Sequence, residues 1–316
     1  MVWFRRLNLA AIALCFVVVV FGAYVRLSDA GLGCPDWPGC YGHLTVTDQA
    51  LDAHKAWKEM IHRYLASTLG LLIVSLAAMS LRLRKQGAPR VLPFVLVGLV
   101  IFQGMLGMWT VTWQLKPLAV SGHLLGGLTT LSLLTWMWLS QRAPTMIEPA
   151  LPALRRLATV ALAALAFQIF LGGWTSSNYA ALACPDFPTC HGSFWPETDV
   201  KEAFTLWRGL GINYEGGVLG NRARVAIHFA HRLGAMLVAT LAILLTAGLL
   251  RSESATARRF GIAVAAALAL QVTLGISIVK LQLPLFLADM HNAGAAVLLL
   301  TLVTLNHFLW TRTQPK

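Results

Sequence analysis

Long apolar runs separated by short polar segments dominate the chain. Eight runs approach the roughly 20 residues that an α-helix needs to cross a bilayer. They lie at about 8–27, 61–81, 91–113, 119–140, 155–176, 225–250, 258–281 and 286–310. The pattern therefore predicts an all-α polytopic membrane protein with eight transmembrane helices.

Composition agrees with this pattern. The 316 residues are 57% hydrophobic and 12% charged, with a mean hydropathy of +0.66, which is too apolar for a soluble chain of this length. The net charge of +12 would suggest a nucleic-acid partner in a soluble protein. Here the basic residues fall in short loops, so they indicate topology, and we expect a lipid bilayer and no nucleic acid.

Clusters of basic residues mark alternate loops, so both termini are expected in the cytoplasm. The clusters are Arg5 and Arg6; Arg82, Arg84, Lys85 and Arg90; Arg142, Arg155 and Arg156; and Arg251, Arg258 and Arg259. The first apolar run resembles a signal peptide, but no small-x-small cleavage site follows it. We interpret it as an uncleaved helix.

The chain also contains an internal repeat. Gly22–Cys40 resembles Gly172–Cys190 at an offset of 150, and Gln103–Gly127 resembles Gln271–Ala295 at an offset of 168. The difference between the offsets indicates an insertion in the second half, within about 191–224, which we interpret as a covering loop.

Each half holds four predicted helices, so both halves start on the same side of the membrane. This favours parallel repeats over the inverted repeats of many transporters. We predict two parallel, pseudo-twofold four-helix bundles, an N-terminal repeat at 1–142 and a C-terminal repeat at 143–316.

Four histidines occupy matched positions near the outer ends of the even-numbered predicted helices, within their first turns: His62, His123, His231 and His291. An ionisable residue inside a membrane helix is costly and by default suggests function. Neutral imidazole is a good axial ligand for haem iron. We predict two haem iron sites, His62 with His123 and His231 with His291; the alternative is four structural histidines bonded to carbonyl groups.

Charged neighbours accompany the first histidine of each pair. Arg63 and Arg232 directly follow His62 and His231, where they would pair with haem propionates or extend to the membrane interface. Glu59 lies one turn before His62, whereas its counterpart is His228. We interpret Glu59 as a catalytic acid or base beside one of two haems; the alternative is a glutamate that complements the helix dipole.

Each outer loop carries a Cys-Pro-Asp-aromatic-Pro-x-Cys segment. We expect intraloop disulfides, Cys34 with Cys40 and Cys184 with Cys190, because the topology places both loops in an oxidising compartment. Free thiols or a metal clip are the alternatives, and the absence of CxxC pairs argues against zinc. Cys15 is the remaining cysteine, and we interpret it as a buried apolar residue.

Together these features resemble the haem A synthase family, also called the cytochrome oxidase assembly family, in a proteobacterial type. The resemblance spans nearly the whole chain and rests on Glu59, His62 and Arg63, on both cysteine segments, and on the Gln-x-x-Leu-Gly segments at Gln103, Gln168 and Gln271. It implies a membrane oxidoreductase that converts the C8 methyl of haem O to the formyl of haem A.

The resemblance further implies that His62 and His123 bracket the substrate haem O, with Glu59 beside it, and that His231 and His291 hold a haem b cofactor. It implies a bacterial inner membrane with periplasmic cysteine loops. Haem O synthase, cytochrome oxidase assembly factors and a second copy of the chain are the candidate partners. The four histidines alone are equally compatible with a dihaem b-type electron carrier, or with a haem transporter or chaperone.

Overall fold

A computed structural model describes residues 1–141 and 152–310. The α-helices in this part of the chain are α1 (Val2–Leu27), α2 (Ala53–Arg82), α3 (Leu92–Thr112), α4 (Pro117–Leu139), α5 (Pro152–Ser177), α6 (Val200–Ala203), α7 (Asn221–Leu250), α8 (Ala255–Lys280) and α9 (Leu285–Trp310). All except the short α6 are long and apolar enough to cross a membrane. The prediction of an all-α multi-pass membrane protein with eight spanning helices is confirmed.

Helices α1, α2 and α7 begin before their predicted apolar runs, and α2 does so by the largest margin. The run predicted at 61–81 belongs to α2, which starts at Ala53 because the carboxylate of Asp52 caps it by accepting a hydrogen bond from the N–H of Lys55 at 3.0 Å. His62 and His231 consequently lie about three turns into their helices, and His123 and His291 about two turns in. The histidines therefore lie within the first two to three turns of their helices, and His62 lies deeper in α2 than its predicted run indicated.

The helices contact one another in the same order in both halves. In the first half α1 and α3 each pack against α2 and α4, and in the second half α5 and α8 each pack against α7 and α9. The halves meet through α1 with α9, α4 with α5, and α4 with α9. The pseudo-twofold relation and the two repeats stay predictions, and the proposed boundary at Arg142 lies outside the described residues.

One apolar core runs through both halves on the C-terminal side of the four histidines. It includes Ile73 of α2, Leu131 of α4, Leu245 of α7 and Leu302 of α9, all fully buried. Because lipid tails are as apolar as leucine, close packing rather than water exclusion holds these helices together. The core leaves the opposite, outer half of the bundle to the histidines.

The inserted segment of the second half extends over the first half. Lys116, at the N-terminal end of α4, is 1% exposed. Its ammonium donates to the carbonyl of Gly209 and lies 3.3 Å from the ring centroid of Trp207. The N–H of Tyr214 donates to the carbonyl of Gln114 at 3.0 Å. The insertion therefore covers the turn between α3 and α4.

Candidate functional site

The histidines of the first half face each other across the bundle. The ring centroids of His62 and His123 are 6.3 Å apart and their planes are nearly perpendicular, at 85°. In the second half, His291 lies close enough to His231 for their charges to interact. All four side chains are only partly buried. The fold therefore brings the predicted pairs together and leaves their rings accessible.

The separation of His62 and His123 fits a single metal ion between two imidazoles. A metal lies about 2 Å from an imidazole nitrogen, which itself lies roughly 1.1 Å from the ring centroid, so two ligands give about 6.2 Å between centroids. The Nδ1 atoms of His62, His123 and His291 are buried without a hydrogen-bond partner in the described part of the chain. These residues fit a haem iron held by two imidazoles.

Each of the four imidazoles lies against a glycine of the preceding long helix. A Cβ atom added to each glycine would lie only 2.7–3.4 Å from Cε1 of the histidine. The pairs are Gly22 with His62 (2.7 Å), Gly107 with His123 (3.4 Å), Gly172 with His231 (3.3 Å) and Gly275 with His291 (3.0 Å). Glycine at these positions gives the imidazole the space that a side chain would take.

Glutamines one turn before these glycines reach the second-half histidines. The amide nitrogen of Gln168 lies 3.0 Å from Nδ1 of His231 and donates to the carbonyl of the same residue at 2.9 Å. The amide nitrogen of Gln271 lies 3.3 Å from Nε2 of His291. The matching position in α1 is Val18. His62 therefore lacks the glutamine that restrains its counterpart, His231.

Both predicted disulfides are present in the structure. Cys34 joins Cys40 and Cys184 joins Cys190, with Cα atoms 4.8 and 4.7 Å apart, while Cys15 is a buried free thiol. Within the described ranges, no group of three or more His, Cys, Asp or Glu side chains is arranged to hold a metal ion. Because Cys34, Cys40, Cys184 and Cys190 are joined in disulfides, neither loop has a free cysteine thiol to bind a metal.

An aspartate closes each disulfide loop from within. The carboxylate of Asp36 accepts hydrogen bonds from the N–H groups of Tyr41 and Gly42, both at 2.7 Å. Burial alone would raise the pKa of Asp36, but these bonds outweigh it and hold the pKa below its ordinary value. In the second loop, the hydroxyl of Thr189 and backbone N–H groups lower the pKa of Asp186.

Glu59 connects α2 to the first disulfide loop. Its carboxylate is 5% exposed; Oε2 accepts from the N–H of Cys34 at 2.8 Å and Oε1 accepts from the guanidinium of Arg63 at 2.5 Å. His228 occupies the same place in the second half, where its Nδ1 accepts from the N–H of Cys184 at 3.2 Å. The sequence did not suggest that these two residue types share a task.

Arg63 and Arg232 donate to carbonyl groups of the disulfide loops. Arg63 donates to the carbonyls of Pro38 and Gly39. Arg232 donates to the carbonyls of Cys184, Asp186 and Thr189 at 2.8–2.9 Å. Each arginine therefore fastens a loop to the helix that carries the neighbouring histidine. Their pairing with haem propionates stays a prediction.

Comparison with known proteins agrees with this geometry. The family model described as Cytochrome oxidase assembly protein matches residues 5–303. A protein of Shewanella oneidensis named Heme A synthase is 46% identical, and the alignment covers 99% of this chain and 97% of the relative. Proteins of the same name from Caulobacter vibrioides and Halalkalibacterium halodurans are 28% and 27% identical, over 96% and 90% of this chain and 94% and 90% of theirs.

Proposed function

Because the chain belongs to the Cytochrome oxidase assembly protein family, we propose that it is a haem A synthase, which oxidises the C8 methyl group of haem O to the formyl group of haem A. The similarity to Heme A synthase over nearly the full length supports this activity. The observation that carries the proposal is the pair of partly buried imidazoles, His62 and His123, separated by the distance that one haem iron requires.

The difference between the halves supports a division of tasks. A resident cofactor needs ligands held in one orientation, and hydrogen bonds to a ligand's second nitrogen or main chain provide that restraint. Gln168 restrains His231 and Gln271 contacts His291, whereas His62 has no such partner. We assign haem b to His231 and His291, and the exchanging substrate haem O to His62 and His123.

The protein's own residues would then position the substrate. An iron porphyrin supplies the redox capacity that an unactivated methyl group demands. The imidazoles of His62 and His123 set the plane of the macrocycle, and Gly22 and Gly107 give these rings room. Glu59 is the buried carboxylate one turn from His62, and its Oε atoms are the proton acceptor that we assign to the substrate half.

This function predicts where the molecule lies in the cell and how it is oriented in the membrane. We place both termini in the cytoplasm of a bacterium and the two cysteine loops in the periplasm, in accord with the basic loops. Haem O is too apolar to diffuse freely through water, so we expect delivery from haem O synthase within the membrane and transfer of the product to cytochrome oxidase assembly factors.

Extraction of porphyrins after expression with haem O synthase tests the function. Mass spectrometry of the extract from the wild-type protein should find the formyl porphyrin, and the hydroxymethyl intermediate where turnover is incomplete. The His62→Ala variant should accumulate unmodified haem O. A dihaem electron carrier or a haem transporter would instead return only unmodified porphyrin from the wild-type protein, and that outcome would reject the proposal.

A further inference from the structure

A second recess lies outside the histidine sites, on the face of α1 beside the start of α9. It has a volume of about 400 Å³ and is lined by Phe16, Val17, Val20, Phe21 and Tyr24 of α1 and by Asp289 of α9. This volume is within the range of roughly 300–1,000 Å³ typical of small-molecule sites. We call this recess the α1/α9 groove. It runs about 12 Å along α1, at 1.5 Å per residue.

The groove is separate from both histidine pairs. Its α1 residues lie on roughly the opposite side of that helix from Gly22, which contacts His62, because successive residues are about 100° apart around a helix. Asp289 and His291 are likewise about 200° apart on α9. The His62 ring therefore contacts the other side of α1.

Asp289 is the one carboxyl-bearing side chain among the described residues that line this recess. It is 9% exposed, and its Oδ1 is buried without a hydrogen-bond partner in the part of the chain that the structure describes. An unpaired buried carboxyl inside a membrane is expensive and points to a ligand that it serves. The equivalent residue of the first half is Ser121, which packs against Gly173 instead.

We propose that the α1/α9 groove binds a membrane quinone, with the O–H of the neutral Asp289 carboxyl group donating a hydrogen bond to a ring carbonyl oxygen. The aromatic rings of Phe21 and Tyr24, stacked with centroids 5.8 Å apart, offer an apolar surface for a flat ring. The valines continue toward the bilayer centre, where an isoprenoid chain would lie. A phospholipid fits less well, because its acyl chains cannot accept a hydrogen bond from Asp289.

The use of such a ligand rests on the proposed function. With water as the oxygen source, converting a methyl to a formyl group releases four protons and four electrons. Two quinones take up these protons and electrons and leave as two quinols. Asp289 lies on the same helix as His291, which we assign as a ligand of the resident haem b, so the groove adjoins that half of the molecule.

Photolabelling of the full-length protein in nanodiscs tests the groove. The probe is an azido-substituted ubiquinone with a short isoprenoid tail, and peptide mass spectrometry locates the label. We expect labelling within α1 between Phe16 and Tyr24 or in the peptide that contains Asp289, and loss of labelling when unmodified quinone is added. Labelling elsewhere in the chain, or labelling that unmodified quinone does not reduce, would overturn the proposal.

Two variants distinguish the contribution of the Asp289 hydrogen bond to quinone binding from that of the shape of the groove. Asp289→Leu should weaken quinone binding about tenfold, as expected for loss of one hydrogen bond, and Val20→Phe should weaken it by filling the groove. Ser121→Ala, at the matching position of the first half, should leave it unchanged. Unaltered haem content and elution volume would show that each variant is folded. Wild-type quinone affinity in both groove variants would overturn the proposal.

The two proposals fail in distinguishable ways, because quinone binding needs no turnover. Quinone bound in the groove of a protein that makes no formyl porphyrin would reject the proposed function and retain the site. Formyl porphyrin made by a protein that binds phospholipid, and no quinone, in the groove would reject the site and retain the function.

Discussion

Glu59 and His228 accept equivalent hydrogen bonds in the two halves of the molecule. Oε2 of Glu59 lies 2.8 Å from the backbone nitrogen of Cys34, and Nδ1 of His228 lies 3.2 Å from that of Cys184. An imidazole can therefore anchor a disulfide loop as a carboxylate does. The difference between the halves is then the additional charge of Glu59, which is also in contact with Arg63 at 2.5 Å.

Exchanging these two side chains separates loop anchoring from chemistry. In a Glu59→His variant, the imidazole should still accept from Cys34, so the protein should fold and retain both haems while formyl porphyrin production is lost. Glu59→Ala removes the anchor as well and should destabilise the loop by about 1.5–3 kcal/mol, the value of a hydrogen bond to a charged group. Porphyrin mass spectrometry and thermal unfolding of both variants provide the measurements.

A His228→Gln change serves as the control, because it alters the matched position beside the haem assigned as resident. It should leave the formyl porphyrin yield near that of the wild type. Full haem A output from Glu59→His would show that the carboxylate has no chemical task and is an anchor alone.

The glutamine restraint predicts different haem retention in the two halves. His231→Ala should remove the resident haem b. Gln168→Leu keeps the ligand but removes the contact to its ring and main chain, so haem affinity should fall about 10–100-fold, as for other residues that orient a metal ligand. The visible spectrum and haem-to-protein ratio after gel filtration report the loss.

Val18→Leu provides a matched control, since Val18 occupies in α1 the position that Gln168 occupies in α5. It should leave the haem-to-protein ratio unchanged. Equal haem loss from both variants would mean that packing, rather than the hydrogen bond, explains the effect of Gln168→Leu.

The first disulfide loop should respond to acid. The hydrogen bonds that Asp36 accepts hold its folded pKa below the unfolded value, so they stabilise the loop at pH values above about 4 and are lost as the pH falls through the folded pKa. We expect the Cys34–Cys40 disulfide to become more reducible by a phosphine below that pH. Alkylation of the freed thiols followed by mass spectrometry measures it.

An Asp36→Asn variant separates this effect from the pH dependence of the reductant. Its amide cannot ionise, so the variant should be more reducible than the wild type at neutral pH and should show a smaller change between neutral and acid. Parallel pH profiles in the two proteins would contradict the role given to Asp36.

The features that could be predicted from sequence are those that depend on local patterns of residues. Eight apolar runs defined eight membrane helices, and matched segments such as Gly22–Cys40 and Gly172–Cys190 predicted a repeat. The start of α2 at Ala53 was missed because the cap at Asp52 lies in a polar stretch with no periodic signal. The tasks of His228 and Asp289 were missed because they depend on contacts with a loop and with α1, which only the folded chain brings near.

Among the four glycines that lie against the histidines, the contact with His62 makes Gly22 the most sensitive to substitution. A Cβ at Gly22 would lie 2.7 Å from Cε1 of His62, closer than real Cβ contacts, whereas one at Gly107 would lie 3.4 Å from Cε1 of His123, an ordinary contact. Gly22→Ala should therefore displace the His62 ring and reduce haem bound in the first half severalfold, while Gly107→Ala should have little effect. Alanine favours a helix over glycine by about 1 kcal/mol, so unfolding would not explain a loss of haem. Haem stoichiometry and the low-spin absorption spectrum of both variants measure the effect, and equal haem content in the two would show that the His62 ring has room to move.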